Sequence, residues 1–277
     1  MGEISYIMKI LTIGDVHGRD DWKFLTHGSP RDYDSWRTSV DAGASTDDVL
    51  PYVNFDKIIF IGDYADSFDL SNIIIKKNLE DIVHFKKCLG DRVVLLLGNH
   101  DVQYIVHNQG CSGYRSAMRH DLYQIFSENS GFFKVAHEEE GEDGSNWLWT
   151  HAGVTSGWYG KSLLKSMYNP RFRLNSVVLD HKDTSVSGRI NLAWEMRMGD
   201  IFDVDGDSGG MSVWAGPLWV RPNMLNYWPL EGYNQVMGHT TQSDIWVVEE
   251  DPDGTPYEGF KHYYVDCPEK IGMEIEI

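Results

Sequence analysis

Five short apolar runs of this 277-residue sequence each end in a residue that can bind a metal ion or transfer a proton. In one of them, Leu95, Leu96 and Leu97 are followed at once by the polar stretch Gly-Asn-His-Asp at 98–101. Turn chemistry would explain one such stretch, but the same event recurs after four other runs. The metal-binding residue types at these five places are Asp15, His17, Asp63, Asn99, His151 and His239.

Carboxylate, imidazole and amide side chains form a donor set suited to manganese, iron or zinc and unsuited to a metal that prefers thiolates. Asp15 and His17 are two residues apart, so in an extended segment their side chains share one face. Six donors exceed the need of one ion that keeps open positions, and two ions that share a bridging carboxylate fit the count better. Such a pair, about 3.5–4 Å apart, lowers the pKa of a bridging water and clamps the oxygens of a phosphoryl group.

Each of these residues alone has an ordinary structural explanation. Asp15 and Asp63 could cap helices. His151 could be a buried core histidine, and Asn99 could belong to a turn. However, residues of metal-binding type follow all five apolar runs at the same place, directly after the run, and this favours one common metal site.

These residues need a scaffold, and the sequence predicts one. Runs of this length and composition are typical of strands buried on both faces, and they lie at 8–13, 57–61, 92–97, 147–149 and 233–237. Helical spacing predicts helices over 71–89, with Ser71 as the cap, and over 113–131. Residues 244–251 and 259–267, joined by a turn, predict a late antiparallel hairpin. Alternating strands and helices indicate an α/β protein with functional groups at the carboxyl ends of the strands.

The chain shows no linker and no internal repeat, so we expect a single domain over residues 1–277. Residues 1–7 are expected to be a loose extension before the first strand. Two segments rich in turn residues, 27–54 and 199–212, are expected to be surface loops that could cover a site.

Composition restricts the class of partner. The 42 acidic and 24 basic residues give a formal charge of -18. This balance argues against a dedicated nucleic-acid-binding or membrane-binding protein, whereas a bound metal ion would still allow a phosphorylated substrate. The three cysteines lie far apart, without metal-binding spacing, which favours a reducing compartment such as the cytoplasm. No apolar run approaches the length of a membrane span.

The strand-end motifs resemble, in order, the five sequence blocks of the calcineurin-like metallophosphoesterases. They are GDVHG (14–18), GDYAD (62–66), GNHD (98–101), HAG (151–153) and GHT (238–240). Within that family the chain is similar to the serine/threonine phosphoprotein-phosphatase-type branch, especially its bacterial and phage members. The resemblance implies an α/β fold, a four-layer α-β-β-α sandwich with two mixed sheets, and a dinuclear metal site at the strand ends.

The resemblance also implies which residue binds which ion. Asp15 and His17 would bind the first ion, and Asp63 would bridge both. The second ion would be completed by Asn99, His151 and His239. The two divalent ions would be manganese, with iron or zinc as alternatives, and a hydroxide bridging them would attack a phosphate monoester.

Two further residues take their roles from the resemblance. His100 would donate a proton to the leaving alkoxide, and Asp66 would be the carboxylate partner of His100. An imidazole with a neighbouring carboxylate suits general acid catalysis near neutral pH. Asp101 is expected to bind the backbone of its own loop.

The chain departs from the phosphoprotein-phosphatase pattern at position 67. Ser67 stands where that branch has a phosphate-binding arginine, which weakens the case for a protein substrate but not for a phosphoester. Arg221, in the segment LWVRP, is the expected phosphate-binding residue and is preferred to Arg197. Arg19 is a candidate to replace the missing cation.

Three functions remain open at this point. The leading one is hydrolysis of phosphate monoesters, in a phosphoprotein or in a small phosphorylated molecule. The second is hydrolysis of a dinucleoside polyphosphate or another phosphodiester, because of Ser67. The third is a non-enzymatic binding scaffold, which is disfavoured because every ligand position and His100 are filled.

Overall fold

The first of two sheets is built around three of the apolar runs. The computed structural model describes residues 7–45, 54–106, 110–168, 185–205 and 209–277. The sheet has the order β10-β1-β2-β3-β4, in which β1 to β4 run parallel and β10 is antiparallel to β1. Its strands are β1 (Lys9–Ile13), β2 (Lys57–Phe60), β3 (Val93–Leu96), β4 (Phe133–Lys134) and β10 (Gly272–Glu276).

The second sheet contains the other two runs and the predicted hairpin. Its order is β5-β6-β7-β9-β8, with β6, β7 and β9 parallel and with β5 and β8 antiparallel to their neighbours. Its strands are β5 (Ala136–Glu140), β6 (Asn146–Thr150), β7 (Tyr233–Met237), β8 (Trp246–Val248) and β9 (His262–Tyr264). Because β8 pairs antiparallel with β9, the late hairpin is confirmed.

Helices cover the sheets. They are α1 (Trp22–His27), α2 (Pro30–Asp41), α3 (Asn72–Leu89), α4 (Asn99–Ile105), α5 (Arg119–Glu128), α6 (Leu164–Met167), α7 (Val186–Glu195) and α8 (Pro222–Tyr227). A π-helix, Trp158–Leu163, leads into α6. Ser71 caps α3 as predicted, because its hydroxyl accepts from the amide of Ile74 at 3.5 Å. Within the described ranges, no helix has the length and apolarity needed to cross a membrane.

The two sheets face one another across an apolar layer. Trp149 donates through its indole N–H to Thr12 Oγ1 of the other sheet at 3.0 Å. The residues packed between the sheets include Ile10, Ile59, Ile61, Val94, Leu96, Trp147, Trp149 and Val236. Alternate strand residues of the first sheet, such as Leu11 and Phe60, lie in a second cluster with α3 residues. The mixed α/β class with two mixed sheets is thus confirmed.

The expected loop at 27–54 is wrong in its first half, because α2 lies within it. Ser29 accepts from the amide of Asp32 and Pro30 occupies the first helical turn, so Ser and Pro act here as helix-start residues. Only Tyr33 and Trp36 of α2 are buried. Apart from Pro30 and Val40, the remaining residues are polar, which is why composition predicts a loop. Residues 46–53, and 206–208 of the other expected loop, lie outside the described ranges.

Further elements were not predicted, and three of them show why. A short 3-10 helix, Gly199–Phe202, opens the expected loop at 199–212. α7 packs on β5, where the side chain of Asn191 accepts from the amide of Ala136 at 3.1 Å and donates to its carbonyl at 2.9 Å. β10 carries glutamates at alternate positions, and it is recognisable as a strand only through its pairing with β1.

Candidate active site

The carboxyl ends of the parallel strands of both sheets meet at one cleft with a volume of about 480 Å³. The six residues predicted from the strand ends come together here. Five of them line the cleft, namely Asp15, His17, Asp63, Asn99 and His239. His151 lies fully buried beneath it. This convergence follows from topology, because parallel strands place their carboxyl ends at the same edge.

Two buried carboxylates form the floor of the cleft. Oxygen atoms of Asp15 and Asp63 and a ring nitrogen of His151 all lie within 4.8 Å of one another. Backbone amides orient both carboxylates, because His239 N donates to Asp15 Oδ2 at 3.0 Å and His100 N donates to Asp63 Oδ1 at 2.9 Å. The free lone pairs of these oxygens are left for a cation.

Glycines let neighbouring loops approach these carboxylates closely. A Cβ atom on Gly98 would lie 2.0 Å from Asp63 Oδ1, and one on Gly238 would lie 2.0 Å from Asp15 Oδ1. A side chain at either position would therefore displace a carboxylate. The glycines of the GNHD and GHT motifs are required by this packing.

Backbone strain is concentrated around the cleft. Among the described residues, six that are not glycine have positive φ, and four of these are His17, Asp63, Asp66 and His239. The left-handed region is disfavoured for side chains other than glycine, and such strain persists where the surrounding structure enforces it. The loops thus hold these four side chains in orientations that a relaxed backbone would not give.

Three histidines share one arrangement. Each places one ring nitrogen against a backbone carbonyl: His17 Nδ1 to Asp66 O at 2.9 Å, His151 Nδ1 to Ile61 O at 3.2 Å, and His239 Nε2 to Trp219 O at 3.1 Å. A carbonyl only accepts, so the proton lies on that nitrogen. The other nitrogen of each ring keeps its lone pair, as in histidines that bind metals.

The lone pairs meet at Asn99. Its Oδ1 lies 2.9 Å from His151 Nε2 and 3.1 Å from His239 Nδ1, with no proton available from either ring nitrogen. Burial lowers the pKa of His151, and burial together with His151 and Arg221 lowers that of His239 well below its ordinary value. Both rings are therefore neutral, the form that binds metals. A cation between these atoms would turn repulsive contacts into ligand bonds, so the residues fit a metal site.

His100 differs from the other histidines of the cleft. Its Nδ1 lies 3.1 Å from Asp66 Oδ2, and the side chains of Gln103 and Tyr104 also donate to Asp66. Burial lowers the pKa of His100, but the Asp63 charge and the bond to Asp66 outweigh burial and raise it to about 12. The ring of His100 is therefore protonated, whereas the rings of His151 and His239 are neutral.

The prediction that Asp101 binds the backbone of its own loop is confirmed for one of its oxygens, and the other oxygen binds the loop that follows β2. Its Oδ1 accepts from the amides of Tyr64 and Ala65 at 2.9 and 3.1 Å, and its Oδ2 accepts from that of Gly98 at 2.9 Å. Asp101 is fully buried and ties two of the strand-end loops together.

The three candidate arginines have different surroundings. Arg221 lines the cleft, where its Nη1 donates to Thr240 Oγ1 at 3.0 Å and its Nε donates to Gly209 O at 3.0 Å. Arg19 also lines the cleft, but all three guanidinium nitrogens donate to backbone carbonyls. Arg197 stacks on the ring of Trp194 at 3.9 Å and is not part of the cleft lining.

Ser67 does not compensate for the arginine that the pattern has at this position and the chain lacks. Its hydroxyl accepts from the amides of Asp69 and Leu70 at 3.3 and 3.2 Å, and its carbonyl accepts from the guanidinium of Arg115. Arg115 also donates to the carbonyl of Leu70 at 2.8 Å, so it braces the 67–70 loop.

Two further residues of the cleft were missed by the sequence analysis. Asp266 is buried, lines the cleft and accepts from Thr241 Oγ1 at 2.7 Å. It follows the β9 run HYYV, so a sixth apolar run ending in an acid was visible but was assigned to a hairpin. Cys111 also lines the cleft, and its isolated position in the sequence carries no signal.

The chain is similar to known proteins over most of its length. The sequence model of the calcineurin-like phosphoesterases matches residues 8–206. No curated protein matches the sequence. Among solved structures, the chain is similar to a cold-active protein-tyrosine phosphatase of the psychrophile Shewanella sp., with a TM-score of 0.48 and 14% identity over 95% of this chain and 72% of that one. A single-substitution mutant of a cold-active protein tyrosine phosphatase gives a TM-score of 0.50 and 15% identity over 98% of this chain and 75% of that one.

The family match covers well over half of the chain and includes the first four strand-end motifs. The cleft adds buried aspartates and histidines whose free lone pairs suit divalent metal ions. The chain therefore belongs to the calcineurin-like phosphoesterase family of metal-dependent phosphoesterases.

Proposed function

We propose that this protein is a phosphatase that hydrolyses phosphate monoesters, carried by a phosphoprotein or by a small molecule, with His100 as the general acid. The observation that carries the proposal is the His100–Asp66 pair, 3.1 Å apart at the side of the metal-binding cleft. Bound divalent ions supply an activated water and neutralise phosphoryl charge. The side chains of the protein hold the ions, donate the proton and bind the phosphate.

The residues that would hold the ions follow from the family resemblance, and their free lone pairs are compatible with it. Asp15 and His17 would hold the first ion, and Asp63 would serve both. Asn99, His151 and His239 would complete the second. Support comes from Asp63 Oδ2, which lies 3.8 Å from His17 Nε2 on one side and 3.5 Å from His151 Nε2 on the other. Manganese is our first choice for this mixed donor set, with iron or zinc as alternatives.

His100 holds the proton that the leaving oxygen needs. The Asp63 charge that raises the pKa of His100 is neutralised when cations bind, but the hydrogen bond to Asp66 remains. Gln103 and Tyr104 fix Asp66, so Asp66 in turn orients the ring of His100. A protonated imidazole beside the leaving group is the arrangement that general acid catalysis requires.

Arg221 binds the phosphate oxygens in this proposal. Its hydrogen bonds use Nε and Nη1, and Nη2 has no hydrogen-bond partner among the described residues. Burial lowers the pKa of Arg221, which stays positively charged beside Asp15 and Asp63. Arg19 is less suitable because backbone carbonyls already occupy its guanidinium.

One observation favours a second function. At position 67 the chain has a serine hydroxyl, which already accepts hydrogen bonds from two backbone amides. Compared with the phosphoprotein-phosphatase pattern, the cleft therefore has one cation fewer to bind a dianionic monoester. A phosphodiester carries one charge fewer at the reacting phosphorus, and a dinucleoside polyphosphate or another diester is therefore the alternative substrate class.

A substrate panel separates these functions. With added Mn²⁺ we expect turnover of p-nitrophenyl phosphate and a phosphoserine peptide, and weak turnover of bis-p-nitrophenyl phosphate and diadenosine tetraphosphate. The reverse ranking would favour the diesterase alternative. No turnover of any of the four, with metal bound, would favour a binding scaffold.

The location we propose is the reducing cytoplasm. Cys88, Cys111 and Cys267 are all free thiols, as a reducing compartment allows. Mass analysis of the protein purified from its native cells would contradict this location if it found any of these thiols in a disulfide.

A further inference from the structure

Cys111 belongs to a second cluster of metal-binding groups inside the cleft. A carboxylate oxygen of Asp66, a ring nitrogen of His100 and Cys111 Sγ all lie within 4.8 Å of one another. The three residues line the cleft, so an ion can reach them from solvent. They come from three separate segments, because Asp66 follows β2, His100 lies in α4, and Cys111 precedes α5.

The chemistry of this cluster differs from that of the carboxylate floor. A thiolate, an imidazole and a carboxylate, with the fourth position open, form a set that Zn²⁺ accepts in tetrahedral geometry. None of the six residues assigned to the dinuclear site is a thiol, so a thiophilic ion would distinguish the two places. The cleft lining includes five aspartates and two arginines, which attracts cations to it.

The surroundings hold the three ligands in place. Gln103 donates to Asp66 through its amide nitrogen, and its Oε1 accepts from the amide of Cys111 at 3.1 Å. Tyr104 donates to the other oxygen of Asp66. One glutamine thus fixes two of the three ligands, an outer-shell support that is usual around metal sites.

We propose that Asp66, His100 and Cys111 form a third, inhibitory cation site for Zn²⁺. An ion bound there displaces the proton from the ring nitrogen of His100 that faces Asp66 and the thiol proton of Cys111, both to solvent, and the bond between His100 and Asp66 is replaced by bonds to the ion. The ring keeps only the proton on its other nitrogen and is no longer an imidazolium paired with Asp66, so it is a weaker acid for the leaving group. The binding site stands on geometry alone, whereas its inhibitory effect rests on the proposed function.

Cobalt absorption tests the site without any assay of activity. A thiolate bound to Co²⁺ gives a charge-transfer band in the near ultraviolet, and only a site with a cysteine produces it. We fill the protein with Mn²⁺, titrate Co²⁺, and expect the band in the wild type and its loss on adding Zn²⁺. The band should be absent in Cys111→Ser and Cys111→Ala.

Cys88→Ser is the matched control, because Cys88 is a half-buried thiol that lies 3.4 Å from His84 Nε2, away from the cleft. This variant should keep the band. Absence of the band in the folded wild type, or a band that survives both Cys111 substitutions, would overturn the site.

Inhibition is measured separately, with saturating Mn²⁺ and increasing Zn²⁺. We expect Cys111→Ser to raise the inhibitory Zn²⁺ concentration at least about tenfold, which corresponds to about 1.4 kcal/mol of binding free energy. In the wild type, Zn²⁺ should slow phosphoserine hydrolysis more than p-nitrophenyl phosphate hydrolysis, because only the first needs the proton.

Equal inhibition of wild type and Cys111→Ser would overturn the inhibitory role. If, in addition, His100→Asn slows phosphoserine and p-nitrophenyl phosphate hydrolysis equally, the proposed role of His100 as general acid is wrong. That result would leave the zinc site itself standing.

Discussion

The negative charge of buried aspartates is balanced differently in two clusters of this protein, one around Asp81 and one in the cleft. Asp81, fully buried, accepts hydrogen bonds from Lys23 Nζ and Lys77 Nζ, each at 2.7 Å, and from the guanidinium of Arg37. Burial raises the pKa of Asp81, but the bonds from Lys23 and Lys77 hold it below its ordinary value. The chain supplies its own cations there.

Among the described residues, the cleft carboxylates Asp15 and Asp63 pair with histidines and with no lysine or arginine. Burial and the carboxylates of Asp266 and Asp63 raise the pKa of Asp15 well above its ordinary value. Burial also raises the pKa of Asp63, but the histidines of the cleft outweigh burial and lower it to about 2. A buried charge without a partner is costly. The Asp81 cluster is therefore structural, whereas the cleft carboxylates need external cations to balance their charge.

The largest expected effect is at Asp63. Asp63→Asn should reduce turnover to background and lower the bound metal, because in the proposed site this one carboxylate would serve both ions. Metal analysis and kinetics of the purified variant check this. Asp69→Asn is the matched control, since Asp69 is an exposed carboxylate of the same cleft. Two equivalents of metal and normal turnover in Asp63→Asn would contradict the dinuclear assignment.

His100→Asn tests the proton donor beside the cluster. General acid catalysis contributes about 100- to 10,000-fold, and phosphoserine has a poor leaving group whereas p-nitrophenolate leaves without a proton. The variant should therefore lose most of its activity on phosphoserine and much less on p-nitrophenyl phosphate, with both metals retained. Asp66→Asn should give a milder version.

The control for His100 is His120→Asn, an exposed histidine of α5, which should leave both rates unchanged. Equal slowing of both substrates by His100→Asn would assign His100 to orienting water or phosphate.

The two clusters should respond oppositely when a carboxylate is removed. Asp81→Asn leaves Lys23, only 3% exposed, with the exposed Asp20 at 3.8 Å in place of its close charge partner, and should lower the free energy of unfolding by about 3–5 kcal/mol. Asp15→Asn removes a negative charge that Asp63 and Asp266 repel, so the metal-free protein should become more stable. Urea unfolding of both variants checks this.

Added metal should also distinguish the Asp81 cluster from the cleft, since a ligand that binds only the folded state stabilises it. Mn²⁺ should raise the unfolding temperature of the wild type and of Asp81→Asn by similar amounts, and that of Asp15→Asn much less. An equal response of Asp15→Asn would show that the cleft is not the metal site.

The smallest effect is expected at the cleft arginine. A hydrogen bond to a charged group contributes about 1.5–3 kcal/mol, so Arg221→Ala should raise KM for phosphate monoesters by about 10- to 100-fold. Arg197→Ala should change KM little, because Arg197 stacks on Trp194 outside the cleft. Kinetics that rank the two variants the other way would transfer phosphate binding to Arg197.

Much of the site could be predicted because its residues follow apolar runs of recognisable type. Asp15, Asp63 and Asn99 are found by asking what comes after a strand, and parallel topology guarantees that such positions meet. Asp266 follows the same rule, but its strand was assigned to an isolated hairpin. The helix at Pro30–Asp41 was missed because its two buried aromatic residues are separated by polar ones.

The sequence by itself determined the identities and order of the strand-end residues, and therefore the family and the kind of metal chemistry. Only the tertiary structure decided which groups share a charge environment. Lys23 and Lys77 lie 58 and 4 positions from Asp81, and both contact it, whereas Asp15 and Asp266, far apart in the chain, repel each other in one cleft. Charge neutralisation depends on distance and burial, which spacing along the chain does not encode. The same reason brings Cys111, isolated in the sequence, beside His100 and Asp66.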